Sequence, residues 1–93
     1  MPAYVVFMND IQDKDGYKEY MKGATPWLHG GTPKIFADSV TVLEGNPNYG
    51  RVIAIEFPTR EQAEAWYNSP EYQAVIPQRQ AAAPGWCLIV DGL

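Results

Sequence analysis

The sequence predicts a single α+β domain in which strands and helical segments follow the order β-α-β-β-α-β. Three observations predict it. Apolar runs rich in β-branched and aromatic residues occupy 3–9, 34–45, 51–57 and 86–92. Helix caps and three-four apolar spacing fill the intervals after the first and third of these runs. The chain has 93 residues, which is one domain, 1–93, and no more.

The first run, AYVVFMN at 3–9, is too short for a helix and reads as a strand buried on both faces. Asp13 caps a helix that runs to about Leu28, with Tyr17, Tyr20, Met21, Ala24 and Leu28 on one face. Pro26 pushes Thr25 away from helical angles, so this helix either kinks or breaks in two. Gly30 and Gly31 end it. KIFADSVTVLEG (34–45) and RVIAIEF (51–57) form a hairpin across the turn NPNYG (46–50). The first of these strands is long and has room to bend near Asp38 and Ser39. Thr59 and Gln62 fit a capping box for a helix that carries Ala63, Trp66 and Tyr67 and stops at Asn68. Ser69 and Pro70 start a further helix toward Ala83, with Pro77 inside it as a kink or an early stop. WCLIVDG, 86–92, is the last strand. This order is that of a ferredoxin-like sandwich, an antiparallel four-stranded sheet with its helices on one face.

Strand alternation carries a consequence for assembly. Ile53, Ile55 and Phe57 point away from Val52, Ala54 and Glu56, and Trp86, Leu88 and Val90 point away from Cys87, Ile89 and Asp91. Both faces are largely apolar, and the helices cover only one. A homodimer packed sheet against sheet is therefore expected. A composition that is 46% hydrophobic and 13% aromatic fits a covered second face.

Charge and motif content narrow the function. A net charge of −4 with seven Lys and Arg disfavours nucleic acid as a partner, because such binding rests on neutralising phosphates. Membrane-surface binding is disfavoured for the same reason, and no apolar stretch approaches the length of a spanning helix. The start, MPAYVVFMND, lacks the basic and small-residue features of a signal peptide, and Cys87 has no internal disulfide partner. The cytoplasm is the expected compartment. One histidine and one cysteine do not make a zinc site alone, and no phosphate loop, GxSxG or HExxH is present. Neither a metal nor a cofactor is expected.

The run EFPTREQAEAWYNSPEYQ (56–73), with GG at 30–31, LEG at 43–45, Arg51 and VDG at 90–92, resembles the domain of unknown function 1330 family. These are small, mostly bacterial proteins of the dimeric α+β barrel superfamily, and the similarity spans the chain. The resemblance implies a ferredoxin-like protomer and a homodimer whose two sheets form a barrel. It implies no reaction. Cofactor-independent monooxygenases of antibiotic biosynthesis and muconolactone isomerase belong to the superfamily and offer an analogy by fold alone. Some other members bind haem through a histidine, whereas the one histidine here lies in a loop. The chain departs from the family pattern twice. Family members often carry an Arg-Gly pair in the second strand, where this chain has IFADSV (35–40), and Pro77 stands where a helix former is usual. A ligand different from theirs is implied if that arginine binds an anion.

Each candidate residue has a structural reading beside its chemical one. His29, the only histidine, is either a general base at a cleft mouth or a cation favoured at a helix C-terminus. Glu56, in an apolar strand, is either a proton acceptor or half of an ion pair, with Arg79 or a partner chain as the expected mate because Arg51 lies on the other face. Arg51 and Arg79 either hold a carboxylate or tie the hairpin and last helix to the sheet. Trp66, Tyr67 and Tyr72, with Tyr4 or Tyr20, either line an aromatic-binding cavity or pack as core. Cys87 reads as an inert thiol. The combined expectation is a cytoplasmic homodimer that binds a small acidic or aromatic molecule in a cleft near the dimer interface. Any reaction would be cofactor-independent monooxygenase- or isomerase-like proton abstraction, with His29 or Glu56 as base and Arg51 or Arg79 as anion holder. The competing expectation is a non-enzymatic, stress-related or structural dimer whose cleft is filled by its own aromatics.

Overall fold

Seven residues of strict alternation place β1 (Ala3–Asn9) at the middle of the sheet. The computed structural model describes residues 1–47 and 50–93. It shows β1, α1 (Lys14–Ala24), a short 3₁₀ turn (Pro26–His29), β2 (Thr32–Ala37), β3 (Arg51–Phe57), α2 (Arg60–Tyr67), α3 (Pro70–Ala82) and β4 (Gly85–Asp91). The sheet order is β2-β3-β1-β4 and every pairing is antiparallel. This is the expected α+β ferredoxin-like sandwich, with the helical layer on one face. No helix is long and apolar enough to cross a membrane among the described residues.

Register decides what each face carries. Val5 pairs with Ile55 and Ile89, and Phe7 with Ile53 and Cys87, so these side chains share the helix-covered face. Val5, Phe7, Ile53, Ile55 and Phe57 join Trp66, Tyr72 and Ala82 in the core. The opposite face pairs Tyr4 with Glu56 and Val90, Val6 with Ala54 and Leu88, and Met8 with Val52 and Trp86. The outer strands leave Trp86, Leu88, Val90 and Ile35 between 41% and 59% exposed. β1 is thus buried on its helix side and only half-buried on the other.

Local chemistry accounts for the boundaries. The first helix breaks rather than kinks. Thr25 takes a left-handed conformation (φ 37°) before Pro26, and the chain resumes as the 3₁₀ turn. Leu28, expected on the buried stripe, is 68% exposed because it lies beyond that break. Asp13, Thr59 and Ser69 cap α1, α2 and α3 by accepting from the amides of Gly16, Gln62 and Tyr72. The reciprocal half of the capping box is different: the Gln62 side chain meets the Thr59 hydroxyl and the His29 carbonyl. α3 runs through Pro77 without ending.

β2 is shorter than expected, ending at Ala37 rather than near Gly45. Ala37 pairs with Val52, and β3 begins one residue earlier at Arg51, so a longer strand finds no ladder partner. The segment after it is irregular, with Leu43 89% exposed. The register shifts between Pro33 and Ile35, a position an edge strand tolerates. The expected turn 46–50 falls partly on residues 48 and 49, outside the described residues. Gly85 opens β4 because a Cβ there would collide with the Met8 carbonyl.

Candidate functional site

α1 packs chiefly against α3, so the edge strand β2 is left uncovered on its helix side. Phe36, which faces that side opposite Ile53, is 52% exposed. The gap between α1 and the β2–β3 edge is a cleft of about 630 Å³. Arg51, the first residue of β3, forms one wall, and Asn9, its register partner on β1, forms the inner end. Tyr17 and Met21 of α1 and Phe36 of β2 continue from it into an apolar groove of about 100 Å³. Tyr20, Trp27, Pro33 and Trp66 complete that groove.

Arg51 is held from three sides. Its guanidinium lies 4.5 Å from the Phe36 ring centre and 5.5 Å from that of Tyr17, and an Nη2 atom reaches Asp38 Oδ1 at 2.6 Å. The Asp38 side chain is 77% exposed while that of Arg51 is 18% exposed, so the pair is anchored on the arginine and open at the carboxylate. Lys14 and Lys18 also line the cleft, which therefore carries three cations against Asp10 and Asp38 in an acidic chain. Burial raises the Tyr17 phenol, while the Arg51 and Arg79 charges pull it back.

Behind the cleft runs a buried polar chain. The Tyr20 and Tyr72 hydroxyls meet at 2.7 Å, and Arg79 Nη1 donates to the Tyr72 hydroxyl at 2.9 Å. Arg79 is 6% exposed, and its guanidinium lies 5.2 Å from the Phe7 ring centre. Burial lowers its proton affinity, and the neighbouring Tyr72, Tyr20 and Cys87 groups more than offset that, so the net shift is upward. Trp66 is the hub of the aromatic core, 4.1 Å from the Tyr72 ring centre and 5.7 Å from that of Phe57. Its Nε1 donates to the Ala24 carbonyl at 2.7 Å, which ties α2 to the end of α1. Burial raises the Cys87 thiol, the reverse of an activated nucleophile.

Of the residues singled out from the sequence, Arg51, Tyr20 and Trp66 line the cleft or its groove. Arg79, Tyr72 and Tyr67 stand behind it, Tyr67 packing on the Tyr72 ring at 5.6 Å. His29 closes the 3₁₀ turn, half-buried, and lines neither space. Glu56 lies on the opposite face of the sheet. Its mates are Tyr4, whose hydroxyl donates to it at 2.7 Å, and Lys34 at 3.9 Å, not Arg79. The expected pairing fails because Glu56 shares the uncovered face with Tyr4, while Arg79 comes from the helix layer. The cleft is likewise on the helix side, a sheet's thickness from the face expected to pair. Asn9, Tyr17, Lys14, Lys18 and Asp38 are cleft residues that sequence reasoning did not select. Asn9 had a legible signal, being the one polar residue on the buried side of β1.

No curated protein matches this chain. Among solved structures, a protein of unknown function from Rhodopseudomonas palustris superposes with a TM-score of 0.82 at 17% identity, over 99% of this chain and 82% of that one. A DABB family protein with a ferredoxin-like fold from Mesorhizobium loti gives 0.61 at 14% identity, over 99% and 95%. A dimeric ferredoxin-like protein of unknown function from Thermobifida fusca gives 0.57 at 10% identity, over 97% and 88%. At these identities the likeness shows the fold alone. The family model described as "Domain of unknown function (DUF1330)" matches residues 2–93, and the chain belongs to that family.

Proposed function

We propose that this protein is a cytoplasmic homodimer that binds a small organic acid with an apolar or aromatic body in the cleft between α1 and the β2–β3 edge. Arg51 carries the proposal. It is a largely buried cation stacked between two rings, and its one carboxylate partner, Asp38, is exposed and displaceable. A ligand carboxylate takes the place of Asp38, which meets the guanidinium through one oxygen, and has room to bond it through two. The groove of Tyr20, Trp27 and Trp66 receives the body, and Lys14 and Lys18 steer the anion in. The cleft volume of about 630 Å³ favours this reading over a cleft filled by the protein's own side chains.

Proton abstraction within the cleft is the finer part of the proposal. Tyr17, which lines the cleft with the Arg51 guanidinium 5.5 Å from its ring centre, supplies the hydroxyl that donates to an enolate there. The proton passes to a carboxylate of the cleft, Asp10 or the Asp38 that the ligand releases from Arg51, because Glu56 lies on the opposite sheet face and His29 lines neither space. The dimer itself is supported by the uncovered apolar sheet face and by a neighbour described as dimeric.

Calorimetric titration with 3-phenylpropanoate, against neutral 3-phenylpropanol, tests the acid site. The acid is expected to bind and the alcohol not. Arg51→Ala should weaken binding by about 10- to 100-fold, the worth of a charge-assisted hydrogen bond. Lys34→Ala, on the other face, should leave binding unchanged. Equal binding by wild type and Arg51→Ala would refute the assignment.

A further inference from the structure

We infer that the acid held in the cleft is a dianion, and that Lys14 and Lys18 at the cleft mouth hold its second anionic group, a carboxylate or a phosphate. The inference rests on the proposed binding of an organic acid at Arg51 and names the class of acid. Lys14, Tyr17, Lys18 and Met21 all line the cleft, and their spacing of three and four residues puts them on one face of α1. Two of the four positions on that face are cations, in a chain whose net charge is −4. Lys22, Lys34, Arg51 and Arg60 each form an ion pair with a carboxylate. Lys14 and Lys18 form none among the described residues. Asp10, which lines the same cleft, accepts from the Gln12 side chain at 3.2 Å.

Helix formation does not account for these lysines. Like charges four residues apart on a helix repel. Lys14 is also the first residue of α1, where the unpaired amides already carry positive charge and a cation is least favoured. The Asp13 carboxylate is engaged with the Gly16 amide and pairs with neither lysine. Residues that break a local rule in this way are expected at functional sites. Both lysines are exposed, whereas the Arg51 side chain on the facing wall is 18% exposed, so the cleft offers cations at two depths. The inner one takes the carboxylate that displaces Asp38. The outer pair takes a second anion, and because an ammonium acts as a mobile point charge, a carboxylate or a phosphate suits it alike. That second anion keeps water on its outer side, so it gains two ion pairs without the cost of burying a charge. The body still follows Tyr17, Met21 and Phe36 into the groove. A monoacid leaves both lysines without a mate.

Calorimetric titration of the full chain at low salt with 3-phenylpropanoate, 2-benzylsuccinate, the 4-methyl ester of 2-benzylsuccinate and 2-benzyl-3-phosphonopropanoate tests this. The last three are phenylpropanoate with one arm added beside its carboxylate, ending in a carboxylate, a neutral ester or a phosphonate. At least one of the two dianions is expected to bind about five- to tenfold more tightly than phenylpropanoate, which is what two exposed ion pairs supply. The tighter of the two tells which anionic group the lysines prefer. The ester, which has the arm without its charge, should bind no more tightly than phenylpropanoate. The dianion's advantage should shrink as salt is raised, because exposed pairs are screened. In the double variant Lys14→Gln/Lys18→Gln, changed only at exposed positions, the ratio of dianion to phenylpropanoate affinity should fall to near one. Dianions that bind wild type no better than phenylpropanoate would overturn the inference and leave the acid site standing. An ester as tight as the dianions, or a ratio that survives in the double variant, would overturn it as well. Binding of none of the four would remove the acid site and this inference together.

Discussion

The Tyr20 and Tyr72 hydroxyls and the Arg79 guanidinium form a chain with almost no water beside it. Burial pushes the Tyr20 phenol up from 10.0 to about 12, and pushes Tyr72 higher still. Such phenols hold their protons more tightly folded than unfolded. Their contribution to stability is full below pH 10.0, the unfolded value, and the part that Tyr20 supplies is lost as pH rises through about 12. Urea unfolding followed upward from neutral pH should show a flat plateau, a fall that begins near pH 9.0 with the raised Cys87 thiol, and a steeper fall above pH 10.0 as the raised phenols follow. Tyr20→Phe, which removes one of these phenols, should make the steeper part shallower. A stability that stays level through pH 12 would show that these hydroxyls are open to water. At this scale the sequence was partly legible. Tyr17 and Tyr20 follow helical spacing and Trp66 sits in a capped helix, so their burial could be read. Arg79 could not be seen as buried, since its position in α3 looks like any solvated arginine until Tyr72, one and a half to two turns earlier, supplies an acceptor.

α3 shows what a rule of local structure does when packing opposes it. A proline inside a helix removes one backbone hydrogen bond and crowds the preceding turn, at a cost of about 3 kcal/mol. Of the two expected outcomes, a kink or an early stop, the stop does not occur, since α3 continues to Ala82. Tyr72 and Ile76 before the proline, and Arg79 and Ala82 after it, are all buried, so packing holds both halves of the helix in the core. Pro77 itself is exposed and contributes little packing. Pro77→Ala should restore the bond and stabilise the protein by about 2 kcal/mol, after a loss of unfolded-state stiffness of about 0.5–1 kcal/mol is subtracted. For a domain of this size that corresponds to a rise in Tm of roughly 8–16 °C. A Tm that does not rise would mean that α3 is built around the proline. The second element misjudged, β2, failed for a different reason. Val40 and Val42 continue the alternation of a strand, but hydrogen-bond partners belong to β3, whose start sets the limit. Periodicity reports which residues are apolar and not which neighbour is present.

Across the whole molecule, two layers make a slab about 15 Å through its thin axis, with helices on one side only. The other side is a continuous sheet face carrying Val6, Met8, Ile35, Trp86, Leu88 and Val90, interrupted by the Tyr4–Glu56–Lys34 cluster. Both faces of this sheet were legible because alternation survives whatever the tertiary context. The cleft was not, since it exists only where α1 leaves β2 bare, a matter of helix placement. Large apolar patches on a single chain mark surfaces that are covered in use. The Tyr4 hydroxyl bonded to Glu56 raises the phenol and keeps the carboxylate partnered, so the one acidic side chain on this face can be covered without an unpaired charge. Sedimentation velocity should therefore give a dimer, with a thermal midpoint that rises with protein concentration. Leu88→Glu puts an unpaired carboxylate at the paired centre of the face, opposite Val6. It should weaken the dimer by at least about 100-fold, because a buried charge without a mate costs several kcal/mol. Lys18→Glu, on the cleft side, should leave the dimer intact. If Leu88→Glu sediments as wild type does, the face is covered by something other than a second copy of the chain, or by nothing.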